Sequence, residues 1–277
     1  MATTTARRPV IRFTSGHRTS RPDTLAVEEP LEIRLDRGAG AETFTVTMRT
    51  PGHDLELALG FLVSEGVARR PADVLAARHC PDAARDTDGR PTYNVVEVTL
   101  RPGIIVPAAR YRQVSSACGI CGTASIDAVR TRSAHTVHDD DVRVGVATLA
   151  RLPDALRAAQ RVFDRTGGLH AAGLFTADGE LVVLREDVGR HNAVDKVVGW
   201  AFERGLLPLR GRVLQLSGRA SFELVQKAWT AGCPVLAAVS APSSLAVDLA
   251  VEAGLTLVGF SRGESFNAYA GAERITG

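Results

Sequence analysis

Cys118 and Cys121 stand as C-x-x-C inside Ser115-Ser116-Ala117-Cys118-Gly119-Ile120-Cys121-Gly122-Thr123-Ala124-Ser125, a run of small residues with no helical or strand periodicity. Such a segment reads as a mobile loop. Spacing alone admits four chemistries: half of a zinc site, a thioredoxin-like disulfide couple, a nucleophilic or sulfur-carrying thiol, and an accidental pair. A closed zinc site needs four ligands. The other thiols, Cys80 beside His79 and Cys233 ahead of a strand, are isolated in sequence and read as buried structural cysteines. Zinc deaminases pair P-C-x-x-C with H-x-E, but Ala117 precedes Cys118 and none of the seven histidines is followed two residues later by glutamate. A thioredoxin motif sits on a strand-to-helix turn, whereas this pair lies between two unlike halves of the chain. Two adjacent thiols also suit group transfer, one carrying sulfur and its neighbour releasing it by exchange.

A second set of polar residues falls where a parallel sheet would collect them. Apolar runs over 213–216, 235–239 and 255–260 alternate with helical patterns over 221–231 and 244–253, which makes two consecutive βαβ units. Ligands of such sheets bind beyond the carboxyl ends of the strands, where helix N-termini offer free N–H groups. Those ends run into Ser217-Gly218-Arg219-Ala220-Ser221, Ser240-Ala241-Pro242-Ser243-Ser244 and Ser261-Arg262-Gly263-Glu264-Ser265. Hydroxyls, Gly or Pro, and two arginines suit an anion such as a diphosphate, although helix capping explains the serines of any one loop. Glu186-Asp187-Val188-Gly189-Arg190-His191-Asn192 sets more polar groups before a helix than an N-cap needs, and His170 follows Gly167-Gly168. For His170, His191, Asp187 and Lys196, ligand contact and helix-end packing predict the same residue types.

The elements that must position these groups divide the chain in two. Residues 1–23 are Thr/Arg-rich and aperiodic, and read as a disordered tail. A smaller β-rich domain over 24–112 opens with a hairpin, in which Leu31, Ile33, Leu35 and then Phe44, Val46, Met48 alternate about Asp36-Arg37-Gly38. Its covering helix takes Asp54 as N-cap, carries Leu55, Leu59, Leu62 and Val63 on one face, and stops at Gly66. A strand over 95–100 precedes the thiol loop, 113–127. The part over 128–277 reads as a three-layer αβα cofactor-binding domain. It holds a helix over 153–165 with Pro153 at N1 and a strand pair over 174–184 turning at Asp178-Gly179. A helix over 192–204 buries Val194, Val197, Val198 and Ala201 and ends at Gly205. The expected class is therefore α/β, α+β overall.

Composition removes several alternatives. The 277 residues suit two domains at about 150 residues each, and 45% hydrophobic with 23% charged side chains is ordinary globular usage. Thirty-three basic against 31 acidic side chains leave a net charge of +2, which supplies no broad positive field for nucleic acid. Only Lys196 and Lys227 are lysines, which reads as coding bias. Four cysteines make no disulfide framework and fit a reducing cytoplasm. No apolar run matches a secretory signal or a membrane span.

Six blocks together resemble a known family, the formate dehydrogenase accessory sulfurtransferases (FdhD). They are residues 54–66 (DLELALGFLVSEG), Cys118-Gly119-Ile120-Cys121-Gly122, 186–196 (EDVGRHNAVDK), 217–227 (SGRASFELVQK), 237–246 (AAVSAPSSLA) and 259–269 (GFSRGESFNAY). The resemblance implies a cytoplasmic protein, usually a homodimer, that takes persulfide sulfur from a cysteine desulfurase. It delivers that sulfur to the molybdenum or tungsten of a bis-molybdopterin guanine dinucleotide cofactor destined for formate dehydrogenase. It further implies a core similar to the cytidine deaminases without their zinc, and no permanently bound metal. Cys118 matches the persulfide-bearing cysteine, with Cys121 beside it. Phe260, Ser261, Arg262, Gly263, Glu264 and Ser265 match the dinucleotide-binding segment. Ser265 stands where many relatives carry a basic residue, which leaves more of the phosphate contact to Arg262 and Arg219. Ser217, Ser240 and His191 complete the expected cofactor contacts. The rival reading is a non-enzymatic chaperone that binds and protects the cofactor.

Overall fold

A computed structural model describes residues 3–83, 85, 89, 91–106, 133 and 135–277. The expected thiol loop with Cys118 and Cys121 lies outside the described residues. The chain opens with β1 (Thr5–Thr14) and β2 (His17–Ala26), paired antiparallel without interruption from Thr5 opposite Ala26 to Thr14 opposite His17. This corrects the reading of residues 1–23 as a disordered tail. Ser15 and Gly16 both take positive φ, 49° and 82°, the backbone of a two-residue hairpin turn. No apolar alternation betrays this ribbon because most of it faces solvent on both sides.

β3 (Glu29–Asp36) buries Leu31, Ile33 and Leu35 and pairs antiparallel with β4 (Ala41–Arg49). Their register slips where Ile33 and Arg34 pair with Thr45 and Thr43, leaving Phe44 unpaired. A one-residue bulge exchanges the two faces beyond it. Phe44 packs edge-on against Phe61 at 5.9 Å, while Val46 and Met48 are 39% and 45% exposed and Thr45, Thr47 and Arg49 point inward. The apolar alternation expected on β4 is thus broken in the middle. Arg49 is accommodated because Asp54 takes its guanidinium at 3.0 and 3.2 Å and Asn94 accepts a third bond at 3.0 Å.

α1 (Asp54–Ser64) follows His53, which occupies the cap position in left-handed conformation, so Asp54 sits in the first turn rather than at the cap. β5 (Val74–His79) and β6 (Val95–Leu100) complete a four-stranded sheet in the order β4-β3-β6-β5, with β3 and β6 parallel. α1 contacts that sheet, but ten of its eleven residues are buried. A helix buried all round has a second partner, and here it is the C-terminal half.

That half begins with the short β7 (Val144–Gly145) and α2 (Val146–Ala159). Pro153 is the eighth residue of α2 rather than its first. Proline has no N–H to offer the carbonyl four residues back, and the Leu149 carbonyl instead accepts from Ser261 Oγ at 3.4 Å. α3 (Arg161–Thr166) is a separate short helix, closed by Gly167 at φ 66°. β8 (His170–Thr176) and β9 (Leu181–Asp187) form the expected antiparallel pair, and α4 (Arg190–Glu203) follows. Then come β10 (Arg212–Leu216), α5 (Phe222–Thr230), β11 (Val235–Ala238), α6 (Ser244–Ala253) and β12 (Thr256–Arg262), with β10, β11 and β12 parallel as read from their apolar runs. β13 (Ser265–Ala270) turns back along β12, and β14 (Ile275–Thr276) pairs with β7. The main sheet runs β13-β12-β11-β10-β8-β9. One face packs on α2 through Leu149, Leu152, Leu156, Phe175 and Val213. α4 and α5 join the larger core on the other.

The two halves are locked by a helix crossing with almost no separation. A Cβ on Gly60 of α1 would lie 1.8 Å from the Asp195 carbonyl oxygen of α4, and a Cβ on Gly199 would lie 1.8 Å from the Glu56 carbonyl oxygen. Only backbone fits between them. Around the crossing, Lys227 Nζ sits 2.8 Å from both Asp195 oxygens, and Ser64 Oγ donates to Asp195 at 2.7 Å. Arg185 forks onto Glu56, with Nη2 2.7 Å from Oε1.

Gly60→Ala and Gly199→Ala should each cost about 3 kcal/mol or more, because the obstacle is backbone and no side chain can yield. Thermal denaturation should then show Tm lower by roughly 6–12 °C, and a melt within about 2 °C of wild type would show that the helices separate freely. Burial alone would raise the Glu56 carboxyl, but bonds and charge from Arg185 and His53 bring it down to about 2. The folded value lies below the unfolded one, so this stabilisation is complete above the ordinary carboxyl value of 4.5 and is lost as pH falls toward about 2. Glu56→Gln should flatten the fall of Tm across that window; an unchanged slope would refute the linkage.

Candidate functional site

The β8–β9–β10–β11 arrangement brings chain ends from distant sequence to one edge. β8 starts there with His170, β9 ends there with Asp187 opposite it, and β10 and β11 run out into the turns at 217–221 and 239–243. The two turns are tied together: Ser240 N donates to the Gly218 carbonyl at 3.2 Å, Ser243 N to the Ala220 carbonyl at 3.1 Å, and Ala220 bridges Pro242. A Cβ on Gly218 would stand 3.4 Å from His170 Nδ1, so the imidazole lies directly against this turn. The α4 and α5 N-termini open onto the same edge, and neither cap residue, Gly189 or Ser221, makes a side-chain capping bond.

Much of the polar cluster at 186–192 holds the fold together. Asp187 is fully buried and accepts from Thr50 N at 3.1 Å, Gly189 N at 2.8 Å, Asn192 Nδ2 at 3.1 Å and Lys196 Nζ at 2.7 Å. Lys196 also donates to the Thr50 carbonyl at 2.9 Å, and Asn192 to the Met48 carbonyl at 2.7 Å. These residues clamp the end of β4 to the start of α4. The Glu186 carboxylate accepts from Val162 N and Phe163 N at 2.9 and 2.7 Å, capping α3. Both lysines of the chain are buried against aspartates, Lys196 on Asp187 and Lys227 on Asp195.

What remains at the edge is cationic. His191 Nε2 meets Glu223 Oε2 at 2.8 Å and Ser221 Oγ at 3.2 Å. The His191 bond holds the Glu223 carboxyl below the usual carboxylate range against its burial, with Lys227 and Arg190 adding to the effect. Burial lowers the Arg190 guanidinium, and so does the like charge of Arg219; only Glu223 opposes them. Arg190 Nε is buried with no hydrogen-bond partner. Burial, then Arg190 and His191, push the His170 imidazolium below the ordinary histidine range, partly offset by Asp187. Arg190 and Arg219 thus share one edge with His170 and His191, with Glu223 among them and Asp187 already taken by Lys196, an arrangement that gains from an anion with several oxygens. Among the described residues no group of three or more His, Cys, Asp or Glu side chains is placed to hold a metal ion.

The residues expected from sequence separate under this geometry. Arg219 and His191 are at the edge. Ser240 is exposed there, with its carbonyl accepting from Phe260 N at 3.3 Å. Ser217 is committed, its Oγ accepting from Ala171 N at 2.8 Å. The segment 260–265 is not a strand-to-helix loop: β12 continues to Arg262, and Gly263-Glu264 turn the chain into β13. Phe260 carries φ 52°, a conformation that a bulky residue holds only under constraint, and Arg262 lies over its ring at 5.7 Å. Arg262, Gly263, Glu264 and Ser265 are exposed at the tip. Ser261 is completely buried, turned away from the edge toward α2. Cys118 and Cys121 lie outside the described residues. Cys233 is buried, with its thiol pushed up to about 12 by desolvation. Cys80 is only half-buried, 4.0 Å from Glu97 Oε2. Sequence reasoning missed Glu223, whose signal was its place two residues after Ser221 at a helix start.

His170 reports on this edge. Titration with inorganic pyrophosphate should raise its pKa, read by NMR of the imidazole Cε1–H, as the anion neutralises Arg190. Arg190→Gln should raise it without any anion. A His170 curve indifferent to both would show that the cationic groups do not form one site.

Comparison with known proteins places this geometry in context. A sulfur carrier protein FdhD from Streptomyces avermitilis is 59% identical, with 99% of this chain and 97% of that protein aligned. One from Mycobacterium tuberculosis is 53% identical over the full length of both. A crystal structure from Desulfotalea psychrophila, described as a candidate formate dehydrogenase accessory protein, superposes with TM-score 0.76 at 23% identity, covering 99% of this chain and all of that one. The model of the FdhD/NarQ family matches residues 26–276, and the chain belongs to that family.

Proposed function

We propose that the protein is a cytoplasmic, homodimeric sulfurtransferase that accepts persulfide sulfur from a cysteine desulfurase. It passes this sulfur to the bis-molybdopterin guanine dinucleotide cofactor of formate dehydrogenase, with molybdenum or tungsten as the metal. The names of relatives at 53–59% identity support sulfur carriage in formate dehydrogenase maturation. The observation that carries the choice of cargo is the cationic edge, where Arg190 Nε is buried without a partner and Arg219 stands close enough to disfavour its charge. Phosphates of a dinucleotide satisfy both arginines at once, and a single carboxylate does not. Arg190, Arg219, His170 and His191 hold those phosphates, with Phe260, Ser240 and the overhanging Arg262, Gly263, Glu264 and Ser265 along the same edge. Ser217 and Ser261 support the edge from behind, Ser217 by accepting from Ala171 N and the fully buried Ser261 by donating to the Leu149 carbonyl. The reading includes a core related to the cytidine deaminases, with thiol chemistry in place of zinc.

In this mechanism the Cys118 thiolate attacks the outer sulfur of the donor's persulfide. The donor S–S bond breaks, its cysteine leaves as thiolate, and Cys118 holds the sulfur as a persulfide. Cys121 then attacks Cys118 Sγ, the outer sulfur departs as hydrosulfide toward the cofactor, and the resulting Cys118–Cys121 disulfide is reduced by a cellular thiol. The chain binds and orients the cargo, while the cofactor's metal is the sulfur acceptor.

Incubation with a cysteine desulfurase and cysteine, followed by intact mass without reductant, should show a reducible gain of one sulfur mapping to Cys118. Cys118→Ala should abolish formate dehydrogenase activity in cells lacking the wild-type protein. Full activity with Cys118→Ala, together with loss on Arg190→Gln, would make the protein a cofactor-binding chaperone instead.

A further inference from the structure

The hairpin of β1 and β2 is accounted for neither by the core nor by the cationic edge. Every residue from 11 to 22 is exposed, including Ile11 at 49% and Phe13 at 72%. The strand register sets Pro9, Ile11 and Phe13 on one face and Arg8, Arg12 and Arg21 on the other. Its five arginines stand against one acidic residue, Asp23. Among the described residues, Arg7, Arg12, Arg18 and Arg21 have no carboxylate partner. Since the whole chain has 33 basic and 31 acidic side chains, the remainder carries two more acids than bases. The near-neutral total conceals a basic arm on a slightly acidic body.

The position of the arm indicates what it meets. Arg165 Nη2 donates to Thr5 Oγ1 at 3.1 Å, and a Cβ on Gly168, two residues before His170, would lie 3.9 Å from that of Ala26. The root is therefore at the rim of the cationic edge. Ten-residue strands at about 3.3 Å per residue carry the tip roughly 30 Å from that root, beyond a small ligand seated there. Arginine with exposed aromatic and aliphatic surface is the composition of a protein interface. The family model's match starts at residue 26, at the root of the arm, while the alignments with the Streptomyces and Mycobacterium relatives extend over the arm as well.

We infer that the hairpin is a docking arm for an acidic surface on the protein that takes the cofactor from the edge. The identity of that protein rests on the cofactor reading above, and its chemistry on the arm. The test uses the full chain carrying Arg7→Glu, Arg12→Glu, Arg18→Glu and Arg21→Glu together, and Phe13→Ser separately. The probe is purified formate dehydrogenase apoprotein, with binding measured by interferometry across about 0.05–0.3 M NaCl. Wild type should bind, and more weakly as salt rises; the fourfold variant should bind about tenfold or more weakly and lose most of the salt dependence. Phe13→Ser should weaken binding with the salt dependence retained. Sulfur loading of Cys118 and the melting curve should be unchanged in both variants, because the arm lies outside the core. Equal affinity of wild type and fourfold variant, or no binding by wild type, overturns the inference. So does finding that the variant instead loses duplex-DNA binding, anionic-vesicle binding or self-association. If Cys118 takes no sulfur while arm-dependent binding persists, the sulfur-transfer reading fails and the docking arm stands.

Discussion

The backbone contact between α1 and α4 is the constraint from which the rest of the structure follows. Helices normally cross at 8–10 Å because side chains separate them; here Gly60 and Gly199 remove the side chains from both surfaces at the crossing. α1 can then lie between the N-terminal sheet and the C-terminal core, and the residues around the contact have no solvent to turn to. Polar groups near it must find partners inside the protein. Asp195 with Lys227 and Ser64, and Glu56 with Arg185, meet that demand. Such buried pairs add less to stability than their geometry implies, because desolvation offsets the attraction. Their effect is on register, since sliding α1 along α4 would leave a charge unpaired.

The crossing also determines what the candidate site edge looks like. Holding α4 against α1 places its N-terminus where Asp187, Asn192 and Lys196 clamp it to the end of β4. The side chains used in that clamp are buried and paired with one another and with the carbonyls at the end of β4. The neighbours left over, Arg190 and His191, face the turns after β10 and β11 and meet Arg219, His170 and Glu223. One seven-residue segment therefore does two jobs, alternating with the turn of the chain. Under the proposed function, a polyanionic cargo offsets the positive charge of Arg190 and Arg219 at this edge.

Proline chemistry connects the opposite face of the sheet to the same segment that overhangs the edge. Pro153 leaves the Leu149 carbonyl without its helical donor, and Ser261 supplies one from β12. This bond turns Ser261 inward and sends its neighbours Phe260 and Arg262 to the other side of the strand. The left-handed Phe260 marks where β12 leaves its regular course alongside Ser240.

Much of this was legible in the residues themselves. Continuous apolar runs at 213–216, 235–239 and 255–260 implied buried parallel strands, because only strands covered on both faces need no polar side. The antiparallel pair at Asp178-Gly179, the α6 helix and the glycine stop after α4 followed from local turn and helix chemistry. The motif blocks pointed to the family, and the expectation that polar loops gather at the strand ends came from sheet geometry. Tertiary structure alone decided the rest. A single-residue bulge at Phe44 reversed the faces of β4, and nothing in its alternation marks where a register slips. The first 23 residues read as a tail because ribbon pairing without a core leaves no hydrophobic signature. Which of Asp187, Arg190, His191 and Lys196 would be buried depended on α4 meeting α1, a contact between residues more than a hundred positions apart. Lys196 and Lys227 looked like remnants of composition until the fold buried both against aspartates. Periodicity and turn chemistry are properties of neighbouring residues and can be read along the chain; burial and charge pairing are properties of surfaces that exist only once distant segments are in contact.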